Sequence, residues 1–220
     1  MMRLSMNHQK VNAVALIDGN NLIAFLNATR YNKVRMEVDG MEVLEKEDIC
    51  TIEDIYALPD GIRAELMDGK IYYMAPPSWS HQKISSNLHN QIYNYIKESN
   101  GQCEVLAAPF AVFLDDDDLN YVEPDISVIC DQSKLDEKGC HGAPDWIIEI
   151  VSPSSKTRDY MTKMFKYHAA GVREYWIVDS GKQMTTIYSF EKNLVEQYNF
   201  GEDMPVGIYN GFLVKQPAAK

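Results

Sequence analysis

The sequence predicts an α/β domain in which a mixed central β-sheet is flanked by helices. Three observations lead there. Residues 80–98 place Ile84, Leu88, Ile92 and Ile96 four apart, the spacing of an amphipathic helix. From there the pattern turns to short apolar runs, Val105–Leu114, Tyr121–Cys130 and Pro144–Val151, separated by polar loops. A second helix then runs to about Ala170, where Gly171 stops it, and two more strands follow at Val172–Val178 and Met184–Phe190.

A chain of 220 residues has room for one such domain and a small appendage. The appendage falls at residues 1–47 and the main domain at 48–215. In the appendage, Val34–Val38 and Met41–Leu44 alternate apolar and polar residues around Asp39-Gly40, a two-residue hairpin signal. Val14–Ile17 and Leu22–Leu26 likewise flank the turn formers Asp18 to Asn21. This makes an N-terminal β-rich extension whose role the residues do not reveal. The main domain opens with Thr51, Glu53 and Asp54, which start a short helix ended by Pro59-Asp60-Gly61. Arg63–Met67 and Lys70–Met74 form a second hairpin over Asp68-Gly69, and Pro76-Pro77-Ser78 breaks its second strand. Asn100-Gly101 ends the long helix, and Ser154 or Ser155 begins the second one. Leu194–Phe200 and Gly211–Val214 complete the strand-like tail.

No apolar run approaches the ~20 residues that a membrane helix needs, and the first ten residues hold no signal-peptide core. A cytoplasmic location, away from membranes, is the expectation. The four cysteines, Cys50, Cys103, Cys130 and Cys140, form no C-x-x-C pair, so reduced, mostly buried thiols are expected. A net charge of −11 weighs against a general nucleic-acid binder, whose affinity comes from cations that neutralise phosphates. It leaves room for a local basic groove or a metal-filled acidic site. Part of the excess, Asp115 to Asp118, reads as a solvated loop without the ligand spacing of an EF-hand.

The chemistry concentrates between residues 121 and 179. Asp125 follows Pro124, and Glu149 sits inside Trp146-Ile147-Ile148-Glu149-Ile150-Val151. A carboxylate in such a run costs several kcal/mol to bury, about 2–7 for a polar group alone, unless it is paired or bound to a cation. Two on adjacent strands repel, and a hard dication such as Mg²⁺ resolves the conflict. Each taken singly is better read as a strand-end residue facing water or an arginine; together, with Lys163 following, they read as a site. Lys163 lies four residues after Asp159, the spacing of an ordinary helical ion pair, and Tyr167 shares its face. Lys166 is the reserve lysine. Glu65, on the second hairpin, either faces water or joins the site. His81, at the start of the long helix, contacts phosphate, orients a water, or simply caps and packs. Trp146 and Trp176 read as core. No G-x-S-x-G elbow and no Gly-rich phosphate loop is present.

Four stretches together, RAELMDGKIYYMAPPSWSH (63–81), VEPDISVICD (122–131), GAPDWIIEIVSPSS (142–155) and DYMTKMFKYHAAGVREYWIVD (159–179), resemble the Uma2 family of restriction-endonuclease-like proteins. That family belongs to the PD-(D/E)xK nuclease superfamily, and the resemblance spans about residues 51–200. It implies a restriction-endonuclease-like core and Mg²⁺-dependent hydrolysis of DNA, with Mn²⁺ as a substitute. It implies that Asp125 and Glu149 hold the metal, that Lys163 assists, and that Glu65 supplies a further acid from an earlier element. The sequence departs from the superfamily where a lysine should stand: position 151 is valine. The resemblance places the substitute at Lys163 on the following helix. Pro144-Asp145, a second "PD", lies too close to Glu149 to be its usual partner. A homodimer is expected because cutting both strands needs two active sites. The alternatives are a nuclease fold kept as an interaction or regulatory module without catalysis, and a metal-dependent hydrolase of a smaller phosphorylated substrate.

Overall fold

The computed structural model describes residues 49–115, 117–151 and 158–217, together with the backbone of four short strands before them. The chain divides into two compact units, Met1–Ile49 and Cys50–Lys220. In the first, β1 (Ala15–Asp18) pairs antiparallel with β2 (Asn21–Ala24), and β3 (Arg35–Val38) with β4 (Met41–Leu44). Val38 pairs with Met41, the register that a two-residue Asp-Gly connection produces.

The second unit opens with α1 (Ile52–Tyr56), where the Thr51 N–H donates to the Asp54 carboxylate at 2.7 Å. Strands β5 (Ala64–Met67) and β6 (Lys70–Tyr73) follow, joined by Asp68 and Gly69 with φ of 51° and 74°. Two successive left-handed residues match the twist of the hairpin, which is why Asp-Gly stands there. Helix α2 (Trp79–Glu98) starts at Ser78, whose hydroxyl accepts the His81 N–H. It ends where Asn100 turns left-handed and the Gly101 N–H reaches back to the Ile96 carbonyl at 2.8 Å.

The β-rich stretch contains β7 (Glu104–Ala107), β8 (Val112–Phe113), β9 (Tyr121–Val122), β10 (Ile126–Ile129), β11 (Leu135–Asp136), β12 (Gly139–His141) and β13 (Trp146–Val151). Two runs that look continuous in sequence are each split between sheets. Val105–Leu114 breaks at Ala108-Pro109 and Tyr121–Cys130 breaks at Glu123-Pro124-Asp125. Proline has no N–H to offer a ladder, so pairing ends there and the chain changes partner. Beyond β13, a π-helical turn, Arg158–Lys163, leads into α3 (Met164–Ala170), which Gly171 terminates with φ of 97°. The chain then lays down β14 (Glu174–Asp179), β15 (Met184–Ser189), β16 (Leu194–Asn199), β17 (Asp203–Pro205) and β18 (Leu213–Lys215).

The result is a mixed α/β fold built on two six-stranded sheets rather than a single central one. The first has the order β16-β15-β14-β13-β10-β7, with β13 and β14 its parallel pair. The second runs β11-β12-β8-β9-β5-β6, with β12 and β8 parallel. The crossover from β13 to β14 carries α3. Along β13 the side chains alternate: Trp146, Ile148 and Ile150 join Ile84, Leu88 and Ile92 of α2 in one core cluster. Ile147 and Val151 join Tyr167 of α3, with Met67, Val112 and Val122 of the second sheet, in another. Covered on both faces, WIIEIV is buried throughout. Among the described residues no helix is long and apolar enough to cross a membrane.

The expectation of four reduced cysteines is corrected. Cys103 and Cys130 form a disulfide, while Cys50 and Cys140 are free thiols. Glu104 of β7 pairs with Ile129 of β10, so the next step of the ladder sets the two cysteines opposite each other, 27 residues apart in sequence. Thiol titration of the unfolded, unreduced protein should therefore find Cys50 and Cys140 alone, and all four only after reduction. Leu88→Ala, at a fully buried position of α2, should lower the free energy of unfolding by about 2–5 kcal/mol in a denaturant titration, with an unchanged slope.

Candidate active site

Strand register brings the two acidic positions together. Ile126 of β10 pairs with Ile148 of β13, so one residue further Asp125 stands opposite Glu149. Glu149 carries its side chain on the face away from α2, in phase with Ile147 and Val151, whereas Asp125 sits just before β10 within reach of the first turn of α2. The Asp125 carboxylate accepts the Ile150 N–H at 2.7 Å and lies 3.2 Å from His81 Nε2. Both contacts fall on Oδ2. Helix α2 thus delivers His81 to the end of β10.

Glu149 is 5% exposed, and its Oε1 accepts from Lys163 Nζ at 2.7 Å and from the Tyr167 hydroxyl at 2.8 Å. The same ammonium donates to Glu65 Oε1 at 2.8 Å, and that oxygen also accepts the Glu123 N–H at 3.1 Å. Glu65 is fully buried because β5 runs between β6 and β9 in the second sheet. One lysine on the crossover therefore joins a carboxylate from each sheet. Asp159, the helical partner expected for Lys163, lies outside the described side chains. Burial above all, then the charges of Glu149 and Glu65, holds the Tyr167 hydroxyl well above its ordinary value. It stays protonated and acts as a donor that fixes Glu149.

Lys166 is not part of this cluster. Its ammonium meets the Asp68 carboxylate at 2.5 Å on the hairpin turn, because one helical position away from Tyr167 turns it toward the β5–β6 connection. The second "PD" is structural: the Asp145 carboxylate accepts the Cys130 N–H at 2.8 Å and Arg173 Nη1 at 3.0 Å. Sequence reasoning passed over Arg63 and Glu123. Arg63 donates through Nε to Glu123 Oε2 at 2.8 Å, and the Tyr121 hydroxyl donates to Glu123 Oε1 at 2.8 Å. The available signal was the acidic residue directly before Pro124-Asp125.

Glu65, Glu123, Asp125 and Glu149 line one cavity of about 390 Å³, together with Arg63 and Lys163. Lys163 answers Glu65 and Glu149, and Arg63 answers Glu123. Among the described residues Asp125 has no lysine or arginine beside it, and neither of its bonds there uses Oδ1. Carboxylate and backbone oxygens with excess negative charge fit a hard cation. Among the described residues no three His, Cys, Asp or Glu side chains converge as a ready-made cage.

Lys163→Met would leave two buried carboxylates facing each other, at a cost of about 3–5 kcal/mol. Denaturant titrations of wild type and variant, with the slope held in common, read that deficit.

Comparison with known proteins places this arrangement in a family. The family model Uma2, described as "Putative restriction endonuclease", matches residues 52–209. "Uncharacterized protein slr1290" of Synechocystis sp. is 29% identical over 125 residues, which cover 56% of this chain and 64% of that protein. The chain thus spans less than two thirds of that relative's length. A crystal structure from Anabaena variabilis ATCC 29413, titled as "a putative nuclease belonging to DUF820", superposes with a TM-score of 0.59 at 23% identity. It covers 72% of this chain and 89% of its own, and at that identity the likeness establishes the fold alone. The family match runs from α1 across both sheets and includes all four cavity carboxylates: this chain belongs to the Uma2 family.

Proposed function

We propose that the protein is a metal-dependent endonuclease that hydrolyses phosphodiester bonds of DNA. The observation that carries this reading is the buried Glu65–Lys163–Glu149 bridge beside Asp125, opening on one cavity. Asp125 and Glu149 would hold Mg²⁺, or Mn²⁺ in its place, with the backbone carbonyl of Ile150. Bound there, the cation would act as a Lewis acid on the phosphate and lower the pKa of a water.

The chain's own residues carry the rest. Lys163 presents a fixed positive charge where negative charge builds on the phosphate oxygens, and Glu65 and Glu149 hold that ammonium in place. Tyr167 keeps the Glu149 carboxylate in one orientation. His81 steadies Asp125 and faces the cavity, where it can orient the attacking water. The water oxygen bonds to phosphorus and releases a proton to solvent, the bond to the leaving oxygen breaks with its electron pair, and the leaving oxygen takes up a proton from solvent. Cutting both strands of a duplex needs two such sites, so a homodimer is part of the proposal.

A second reading, a nuclease fold without catalysis, draws on Lys163 being engaged by two carboxylates at once. One experiment separates the two. Plasmid and single-stranded DNA are incubated with Mg²⁺ or Mn²⁺, with EDTA as control. Wild type should nick or degrade DNA only with metal. Asp125→Ala, Glu149→Ala and Lys163→Ala should each lose about 10²-fold or more, and His81→Ala less. Lys166→Ala should retain activity. Activity that survives the first three substitutions sinks the assignment, and inactivity on every DNA form favours the second reading.

A further inference from the structure

One wall of the cavity runs from the end of β6 to the first turn of α2 and contributes Tyr73, Pro76, Pro77, Ser78, Ser80 and His81. Two aromatic rings on this segment are open to solvent. Tyr73 is 67% exposed and Trp79 is 78% exposed, the latter the barest large apolar side chain among the described residues. The contrast with the other two tryptophans is complete, since Trp146 and Trp176 are fully buried. Trp79 is also held in place: two prolines and the Ser78 cap precede it, and it occupies the first position of α2. One helical turn on, Lys83 Nζ lies 5.2 Å from the centroid of its ring.

An exposed aromatic face with a cation beside it, on a residue whose neighbours Ser78 and Ser80 line the cavity, matches the two parts of a nucleotide. The base offers a π-face and the backbone an anion. Met74 to Pro77 lie between the rings, and Ser78, Ser80 and Lys83 surround Trp79, so hydroxyls and a cation accompany the apolar surface as a nucleotide requires. A base inside a duplex has both faces stacked already and cannot use such a ring. We infer that Tyr73 and Trp79 are a stacking platform for unpaired nucleotides, with Lys83 at a backbone phosphate, so that a strand enters the site unpaired and a duplex must open locally before each of its strands can. This rests on the nuclease reading for its substrate class, yet binding can be read without cleavage.

The test uses the full chain with Ca²⁺ in place of Mg²⁺, and a short oligothymidylate as the probe. Trp79 is the one solvent-exposed tryptophan of three, so its emission reports stacking directly. Single-stranded probe should quench the emission, and a blunt duplex of equal length should do so weakly. Trp79→Ala should weaken binding by at least about fivefold in fluorescence anisotropy, Tyr73→Ala should weaken it too, and Trp79→Phe should restore most of the affinity. Thermal unfolding should be unchanged in all three, as expected for exposed rings. DNA cleavage by a protein whose Trp79 is not quenched overturns the platform and leaves the nuclease standing. Quenching without cleavage of any DNA upholds the platform and overturns the nuclease. Neither quenching nor cleavage overturns both.

Discussion

The ammonium of Lys163 between Glu65 and Glu149 is the interaction on which the arrangement depends. Each carboxylate comes from a different six-stranded sheet, and the lysine comes from the crossover that links the parallel strands β13 and β14. Burying three charges is costly, and only their mutual satisfaction makes it tolerable. Further hydrogen bonds from Tyr167 and from the Glu123 backbone help to meet that cost. The bridge thus joins the sheets electrostatically and sets one wall of the cavity.

Around it, neighbouring groups divide the work. Proline at 109 and at 124 ends strand pairing and sends the chain from one sheet to the other, which places Glu123 and Asp125 where the sheets part. Glu123 is taken by Arg63 and Tyr121, whereas both bonds of Asp125 among the described residues fall on one carboxylate oxygen. Part of the chain's acidity is therefore concentrated at this cavity, where, among the described residues, four carboxylates meet Arg63 and Lys163.

What could be read from the sequence follows from the range of each signal. Asp125 and Glu149 stood out because a carboxylate in an apolar strand is costly whatever surrounds it, and Ile84 to Ile96 announced α2 by period alone. Glu65 was ambiguous, since a glutamate on a hairpin strand faces water unless another strand covers it, and β9 comes more than fifty residues later. The choice of Lys163 over Lys166 came from family register; in the fold, a single helical step sends one ammonium to Glu149 and the other to Asp68. The splitting of two apparent strands was hinted at by their prolines, but the change of sheet is a tertiary event. The Cys103–Cys130 bond has no local signature, because it depends on β7 and β10 lying side by side.

The Lys163–Glu65 contact spans 98 residues of sequence, and Lys163–Glu149 spans 14. On a ribosome, the hairpin carrying Glu65 emerges long before its cation exists. The second sheet's buried acid has to wait, hydrated, until the crossover is made. The site consequently cannot close before residue 163 has been made, and a chain interrupted ahead of it holds Glu65, Glu123, Asp125 and Glu149 without the ammonium that lets Glu65 and Glu149 close.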